Sequence, residues 1–185
     1  MAEFFSRLDC ARCSRVQESC CSYGHPPLTL KDIKRIEKLG FKRIDFAEAL
    51  DFEYSNNDLK NEPAWWIKSM VKINGRFFKA AVKKNGSYCL FLKNGAGCSL
   101  GKNRPVICQM YPFWMENGKL TFNDFDCLMV KNNLSIKELL KIMGESGKKI
   151  KAKFIEFKMD AVKNHKKHEK IVLALLERNA LLEKN

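Results

Sequence analysis

Eight cysteines are the residues best able to do chemistry in this chain of 185 residues, and all lie between positions 10 and 127. Cys10 and Cys13 open the set with Cys-x2-Cys spacing. Cys20 and Cys21 follow as an adjacent pair, and Cys89, Cys98, Cys108 and Cys127 make a later group. Four thiolates, or three with a histidine, surround a tetrahedral zinc ion or an iron–sulfur cube. Two intervening residues let one turn aim both sulfurs at one ion, and eight thiols make two sets of four. Neighbouring side chains such as Cys20 and Cys21 diverge. That pair suits two ions, or one ligand and one supporting sulfur. His25, near the first group, stands as a spare ligand.

The alternative use of paired cysteines is disulfide formation. The opening MAEFFSRLDC carries an early acid and no apolar core, so it does not read as an export signal. The expected compartment is the cytoplasm, where thiols stay reduced. The last 58 residues hold no cysteine, unlike a small disulfide scaffold. Metal ligation or redox chemistry is therefore the expected use. No run of 18 apolar residues suggests a membrane span.

Charge bears on partners. The formal net charge is +13. Residues 131–185 contribute 14 Lys or Arg against 7 Asp or Glu, and the remaining +6 lies with the cysteines. Metal-bound thiolates each carry a negative charge, so part of the basic excess balances them. A nucleic-acid face is one reading of the rest, and a solvated lysine-rich surface is the favoured one. His165 and His168 sit in NHKKHEK and are expected to be solvated.

Groups beside the cysteines would complete a site. Arg104, fixed before Pro105, could steady a thiolate cluster with its guanidinium, or make a surface ion pair. Tyr111, with Pro112, Phe113 and Trp114, could wall the site, or pack into a core. Arg104 and Tyr111 are thus the candidate cofactor-contacting residues beside the eight candidate ligands.

These residues need elements to hold them. Thr29 and Asp32 read as a capping box for a helix ending at Gly40, with Ile33, Ile36 and Leu39 on one face. A short helix is expected around Ile44–Leu50. The spacing suggests a strand from Trp65 to Ile73, a hairpin at Asn74-Gly75, and a strand from Arg76 to Val82. Asn85-Gly86 and Asn117-Gly118 mark two more turns. Ser135 and Glu138 form a second capping box, ahead of Ile136, Leu139, Leu140 and Met143. Gly144 and Gly147 should break that helix. A long helix would then bury Ile150, Phe154, Phe157 and Ala161, although Lys149–Met159 partly alternates like a strand, and Ile171, Leu175 and Leu182 continue the stripe. The expected class is α+β: an N-terminal cysteine loop with helices, a small antiparallel sheet, and C-terminal helices. Residues 1–130 read as a cysteine-cluster metal-binding domain, and 131–185 as a basic helical segment packed on it.

The pattern formed by Cys10, Cys13, Cys20, Cys21, Pro27, Leu28, Thr29, Asp32, Ile33, Arg35 and Ile36, then Cys89, Phe91, Leu92, Cys98, Arg104, Pro105, Cys108, Tyr111, Pro112 and Phe113, resembles the zinc- or iron-chelating cysteine-cluster family. The resemblance spans roughly residues 10–127. It departs where six residues, Ser14 to Ser19, separate Cys13 from Cys20 and the family usually has two. It departs again at Gly101, usually aromatic, and at Gln109, usually basic. The resemblance implies metal chelation, as zinc or as an iron–sulfur cluster. Some members are similar to flagellin lysine N-methylases and others are called iron–sulfur oxidoreductases.

Two functions of different class follow. One is a metalloprotein, in its enzyme form redox-active or acting on a protein substrate. The other is a zinc-stapled binding module for RNA or an acidic protein, with Trp65, Trp66, Phe77 and Phe78 available for stacking. No nucleotide-binding glycine loop and no C-x3-C-x2-C motif is present.

Overall fold

The computed structural model describes residues 20–54, 59–60, 62–93, 97–122, 127, 130 and 134–182, and of residues 23 and 179–182 the backbone alone. The expectations for Cys10, Cys13 and Ser14 to Ser19 lie outside the described residues. In chain order the helices are α1 (Cys20–Tyr23), α2 (Leu30–Glu37), α3 (Arg43–Phe46), α4 (Ala64–Lys68), α5 (Val106–Met110), α6 (Ile136–Ile142), α7 (Gly147–Lys163) and α8 (His165–Leu182). The strands are β1 (Ala47–Phe52), β2 (Val71–Ile73), β3 (Arg76–Val82), β4 (Lys84–Asn85), β5 (Tyr88–Cys89), β6 (Leu92–Lys93), β7 (Gly97–Cys98), β8 (Phe113–Glu116) and β9 (Lys119–Phe122). Helices with small antiparallel sheets make the class α+β, as the patterning suggests. No helix among the described residues is long and apolar enough to cross a membrane. Two compact units emerge: Met1–Gly24 with Lys84–Ile155, and His25–Lys83 with Glu156–Asn185.

The second of these units is built on a three-stranded sheet of order β1-β3-β2. β3 pairs along its length with β1, from Ala47 opposite Val82 to Phe52 opposite Phe77. β2 pairs with the start of β3 through a two-residue turn at Asn74-Gly75, where both residues have positive φ (49° and 83°). That conformation matches the right-handed strand twist, and Asn-Gly adopts it cheaply. The Pro26-Pro27 segment continues the edge that β2 leaves, with Leu28 N–H bonded to Ala80 O at 2.9 Å and Val82 N–H to Pro26 O at 3.0 Å. α2 begins with the expected reciprocal cap. Thr29 Oγ1 accepts from Asp32 N–H, and Asp32 Oδ2 accepts from Thr29 N–H, both at 3.0 Å.

Two expectations in this unit are corrected. The short helix stops at Phe46, and Leu50 lies in β1. Phe46 and Leu50 are four apart, a spacing that puts side chains on one face in a helix and also in a strand. Trp65 and Trp66 lie on α4 rather than on a strand. There their rings pack against Phe157 of α7, each with centroids 6.2 Å away, so tertiary packing overrides their β preference. Helix α8 lies against β1, β2 and β3. It buries Val172 and Leu175, where the expected stripe had Ile171.

His168 is not solvated. It is 7% exposed, and its Nε2 meets Asp160 Oδ2 at 2.8 Å. His165 Nε2 contacts Met70 O at 2.9 Å. Burial raises the pKa of Asp160. Hydrogen bonds from His168, from Leu30 N–H at 2.9 Å and from Asn164 Nδ2 at 3.1 Å outweigh it and hold the carboxyl below its ordinary value.

The other unit consists of hairpins and helices. β4–β5, β6–β7 and β8–β9 are separate two-stranded ladders. β8 and β9 turn on Asn117-Gly118 as expected, again with both φ positive. Phe113, Leu139 and Ile150 form a buried cluster, with Leu120, Phe122, Leu140 and Met143 against it. The Ser135–Glu138 capping box opens α6. Gly144 ends that helix region at positive φ, whereas Gly147 begins α7 instead of breaking a helix. Helix α7 buries Ile150, Phe154, Phe157 and Ala161. The strand alternative for Lys149–Met159 is thereby overturned.

β3 carries one lysine inward. Lys79 is 8% exposed. Its Nζ donates to Ser69 Oγ at 2.7 Å and stands 3.9 Å from the centroid of Trp66. Burial pushes its pKa down from 10.5 to about 7, against the upward pull of Asp160. Between pH 7 and 10.5 the unfolded lysine therefore holds a proton that the folded one has shed. Stability should rise with pH across that window, and the cost of the buried charge is fully present below it. Lys79→Met should stabilise the fold by roughly 1–4 kcal/mol at about pH 6 and flatten that rise. Urea midpoints of parent and variant measured over the window check this, and parallel curves would refute it.

Candidate metal centre

The described cysteines all belong to the unit built from Met1–Gly24 and Lys84–Ile155. Short elements carry them. Cys20 and Cys21 lie on α1, which packs against β5, where Cys89 is the last residue. Cys98 ends β7, opposite Leu92. Cys108 is central in α5, which starts directly after Pro105. Cys127 is half-buried, and its carbonyl accepts from Val130 N–H at 2.8 Å. Among the described residues no two cysteines are joined as a disulfide.

The thiols of Cys21, Cys89, Cys98 and Cys108 are linked electrostatically. Burial pushes the Cys89 thiol up to about 11, and the charges of Cys21 and Cys98 push it in the same direction. Burial, then Cys21, raises Cys98. Cys108 is raised well above the ordinary thiol value, first by burial and then by Cys21, Cys89 and Cys98. These four thiols thus feel one another across poorly solvated surroundings. Among the described residues, no three His, Cys, Asp or Glu side chains are close enough to hold a metal ion as placed. The two observations are compatible. Charge interaction falls off slowly with distance, whereas coordination needs sulfur within about 2.3 Å of zinc. The thiols influence one another's charge without closing on a point.

The loops around them partly offset this upward shift. Backbone N–H groups of Phe91 and Leu92 lower the Cys89 pKa, and those of Leu100 and Gly101 do the same for Cys98. In each loop the donors come two and three residues after the cysteine. Such hydrogen bonds stabilise the charged form. Arg104 also pulls Cys98 and Cys108 downward, so its guanidinium acts on the sulfurs from outside the ligand set. Its carbonyl is bonded to Gln109 Nε2 at 2.8 Å, which ties the Arg-Pro corner to the helix bearing Cys108. Gly101 has φ of +53° with open space where a Cβ would stand. The turn, not crowding, selects glycine there.

A sulfur-rich donor set with amide donors suits zinc, or iron with sulfide. A bound cation would relieve both the burial penalty and the mutual repulsion of the four thiolates. The residues present therefore fit such a group.

The neighbouring groups divide. Phe113 goes into the buried cluster and stacks on Phe122 with centroids 5.9 Å apart. Trp114 meets Phe154 edge-on at 5.0 Å. Core packing is thus the use of both rings. Tyr111 is half-buried, and its N–H bonds to Ile107 O at 3.1 Å at the end of α5. His25 Nδ1 meets Glu48 Oε1 at 2.8 Å. Sequence reasoning missed the amide donors. The signal available was the residue pairs Phe91-Leu92 and Leu100-Gly101 at a fixed offset from each cysteine.

Residues 9–128, well over half of the chain, match the CxxCxxCC family model, a zinc- or iron-chelating domain. No curated protein and no solved structure matches the chain.

Two substitutions test how the pocket is held. Arg104→Gln should lower metal affinity by about 10–100-fold, as loss of an outer contact does elsewhere, with the far-ultraviolet circular dichroism spectrum unchanged. Competition with a chromophoric chelator measures this, and unaltered affinity would remove Arg104 from the centre. A Cβ at Gly24 would meet Cys20 O at 2.5 Å. Gly24→Ala should therefore cost about 1–3 kcal/mol in denaturant unfolding.

Proposed function

Because the chain belongs to the zinc- or iron-chelating cysteine-cluster family, we propose that it works through a thiolate-held metal centre. Cys21, Cys89, Cys98 and Cys108 supply ligands, and Cys10, Cys13, Cys20 and Cys127 complete the donor set. The observation that carries this reading is the match of residues 9–128 to a zinc- or iron-chelating domain, with α1, which bears Cys20 and Cys21, packed against β5, which ends at Cys89. Zinc bound there would staple four elements that have little core of their own, and an iron–sulfur cluster would add one-electron chemistry. The residues of the chain have separable roles. The thiols bind, the amides after Cys89 and Cys98 stabilise sulfur charge, and Arg104 offsets the excess negative charge of several thiolates. In its enzymatic form the protein is a cytoplasmic redox or protein-modifying enzyme of the flagellin N-methylase-like group, with Tyr111 beside the centre. That form rests on family resemblance and on the reduced state the thiols need.

Anaerobic purification followed by elemental analysis and an optical spectrum tests the proposal. Stoichiometric zinc in a colourless protein, or iron and sulfide with a visible thiolate-to-iron charge-transfer band, is expected. Cys108→Ser should reduce metal content and soluble yield together, because binding and folding are linked. Removing the metal from the parent with a chelator should lower its thermal midpoint. A protein free of metal under these conditions, or a Cys108→Ser variant with undiminished stoichiometry, would overturn the assignment.

A further inference from the structure

Helix α7 presents two apolar lines. One is buried, through Ile150, Phe154, Phe157 and Ala161. The other faces outward: Ile155, Met159 and Val162 are 59%, 38% and 39% exposed. Single exposed aliphatics are ordinary, but these stand at i, i+4 and i+7. At 100° per residue they fall within about 60° of arc and form a ridge about 10 Å long. Lysines surround the ridge. Lys148 and Lys151 continue its line toward the helix N-terminus, and Lys158 and Lys163 flank it. The two acids of the helix lie elsewhere. Asp160 is buried against His168, and Glu156 pairs with Lys31 at 2.9 Å. Lys151 reaches Gly118 O at 3.1 Å, and Lys158 lies 5.7 Å from the Trp65 centroid. Neither contact removes a charge.

We propose that this face of α7 docks an acidic amphipathic helix of a protein partner, with aliphatic side chains on the ridge and carboxylates against the flanking lysines. Aliphatic anchors at i, i+4 and i+7 are the spacing that helix-on-helix recognition uses. The lysines select the sign of the partner's charge. A second copy of this chain is a poor occupant, since two such faces would oppose lysine to lysine. Phosphate backbones gain nothing from the aliphatic ridge. Membrane-surface helices bury a broad face of aromatic and leucine side chains, and this ridge is one side chain wide. The inference is independent of the metal reading.

The test uses the full chain and a fluorescent helical peptide of about 20 residues, with leucine on one face and glutamate on the other. A peptide with lysine replacing glutamate is the control. Anisotropy should show binding of the acidic peptide, weakened by salt, and none of the basic one. The variant Ile155→Ser with Met159→Ser should lose at least about tenfold in affinity. Both positions are solvent-facing, so its circular dichroism and metal content should match the parent. Val162→Ser offers a second, milder variant with the same expected direction. Failure of the acidic peptide to bind at low salt would overturn the proposal, as would equal affinity for parent and double variant. It also fails if the parent self-associates through these residues in sedimentation. Binding only to phosphatidylserine vesicles, lost in the double variant, would assign the face to a membrane instead.

Discussion

Much of this molecule turns on the cost of placing sulfur charge in partly buried surroundings. Cys89, Cys98 and Cys108 are each driven toward the neutral thiol, first by burial and then by one another or by Cys21. As thiols they are weak hydrogen-bonding groups that add little to a core. As thiolates they repel. A cation among them would make burial of the thiolates favourable. The elements bearing them are short: β5 and β7 have two residues each, α1 four and α5 five. Pieces of that size have no stability of their own. The proposed inorganic centre would supply the cohesion that a larger apolar core supplies elsewhere.

The other unit buries charge by different means. Asp160 keeps its charge, because donors from α2, from Asn164 between α7 and α8, and from α8 converge on it. Lys79 does the reverse and sheds a proton near neutral pH, with Ser69 Oγ and the face of Trp66 beside its amine. One carboxylate is satisfied by hydrogen bonds and one amine by neutralisation. The thiols fit neither course. Amide donors at Cys89 and Cys98 lower their pKa values without cancelling the upward shift.

How much of this was legible in the sequence follows from the range of each interaction. The capping boxes at Thr29–Asp32 and Ser135–Glu138 are complete within four residues. The Asn-Gly turns at 74–75 and 117–118 are equally local, and all four read correctly. Leu50 and the Trp65-Trp66 pair did not, because pairing to β3 and packing on Phe157 decide their state from far along the chain. His168 looked solvated among lysines, and its partner is an aspartate eight residues back on the preceding helix, which also accepts from the N-terminus of α2. At the centre, the type and spacing of the cysteines pointed to ligands. Which sulfurs meet depends on how α1, β5, β7 and α5 are brought together, and no local pattern states that. Lys79 carried a readable signal, a lone cation in the apolar run FFKAAV, whose meaning emerges only with Ser69 and Trp66 in place.

The cysteine-bearing unit is discontinuous, with Met1–Gly24 and Lys84–Ile155 separated by His25–Lys83, the first segment of the other unit. This has a consequence for the order of events during translation. Cys89 follows Cys21 by 68 residues, roughly 3–14 s at about 5–20 residues per second. In that interval the leading cysteines emerge from the ribosome with most of their eventual neighbours not yet made. The intervening segment, meanwhile, lacks Glu156–Asn185 and with it the helix that covers its sheet. On the proposed ligand set, the ion would load only after Cys89, Cys98 and Cys108 have been made.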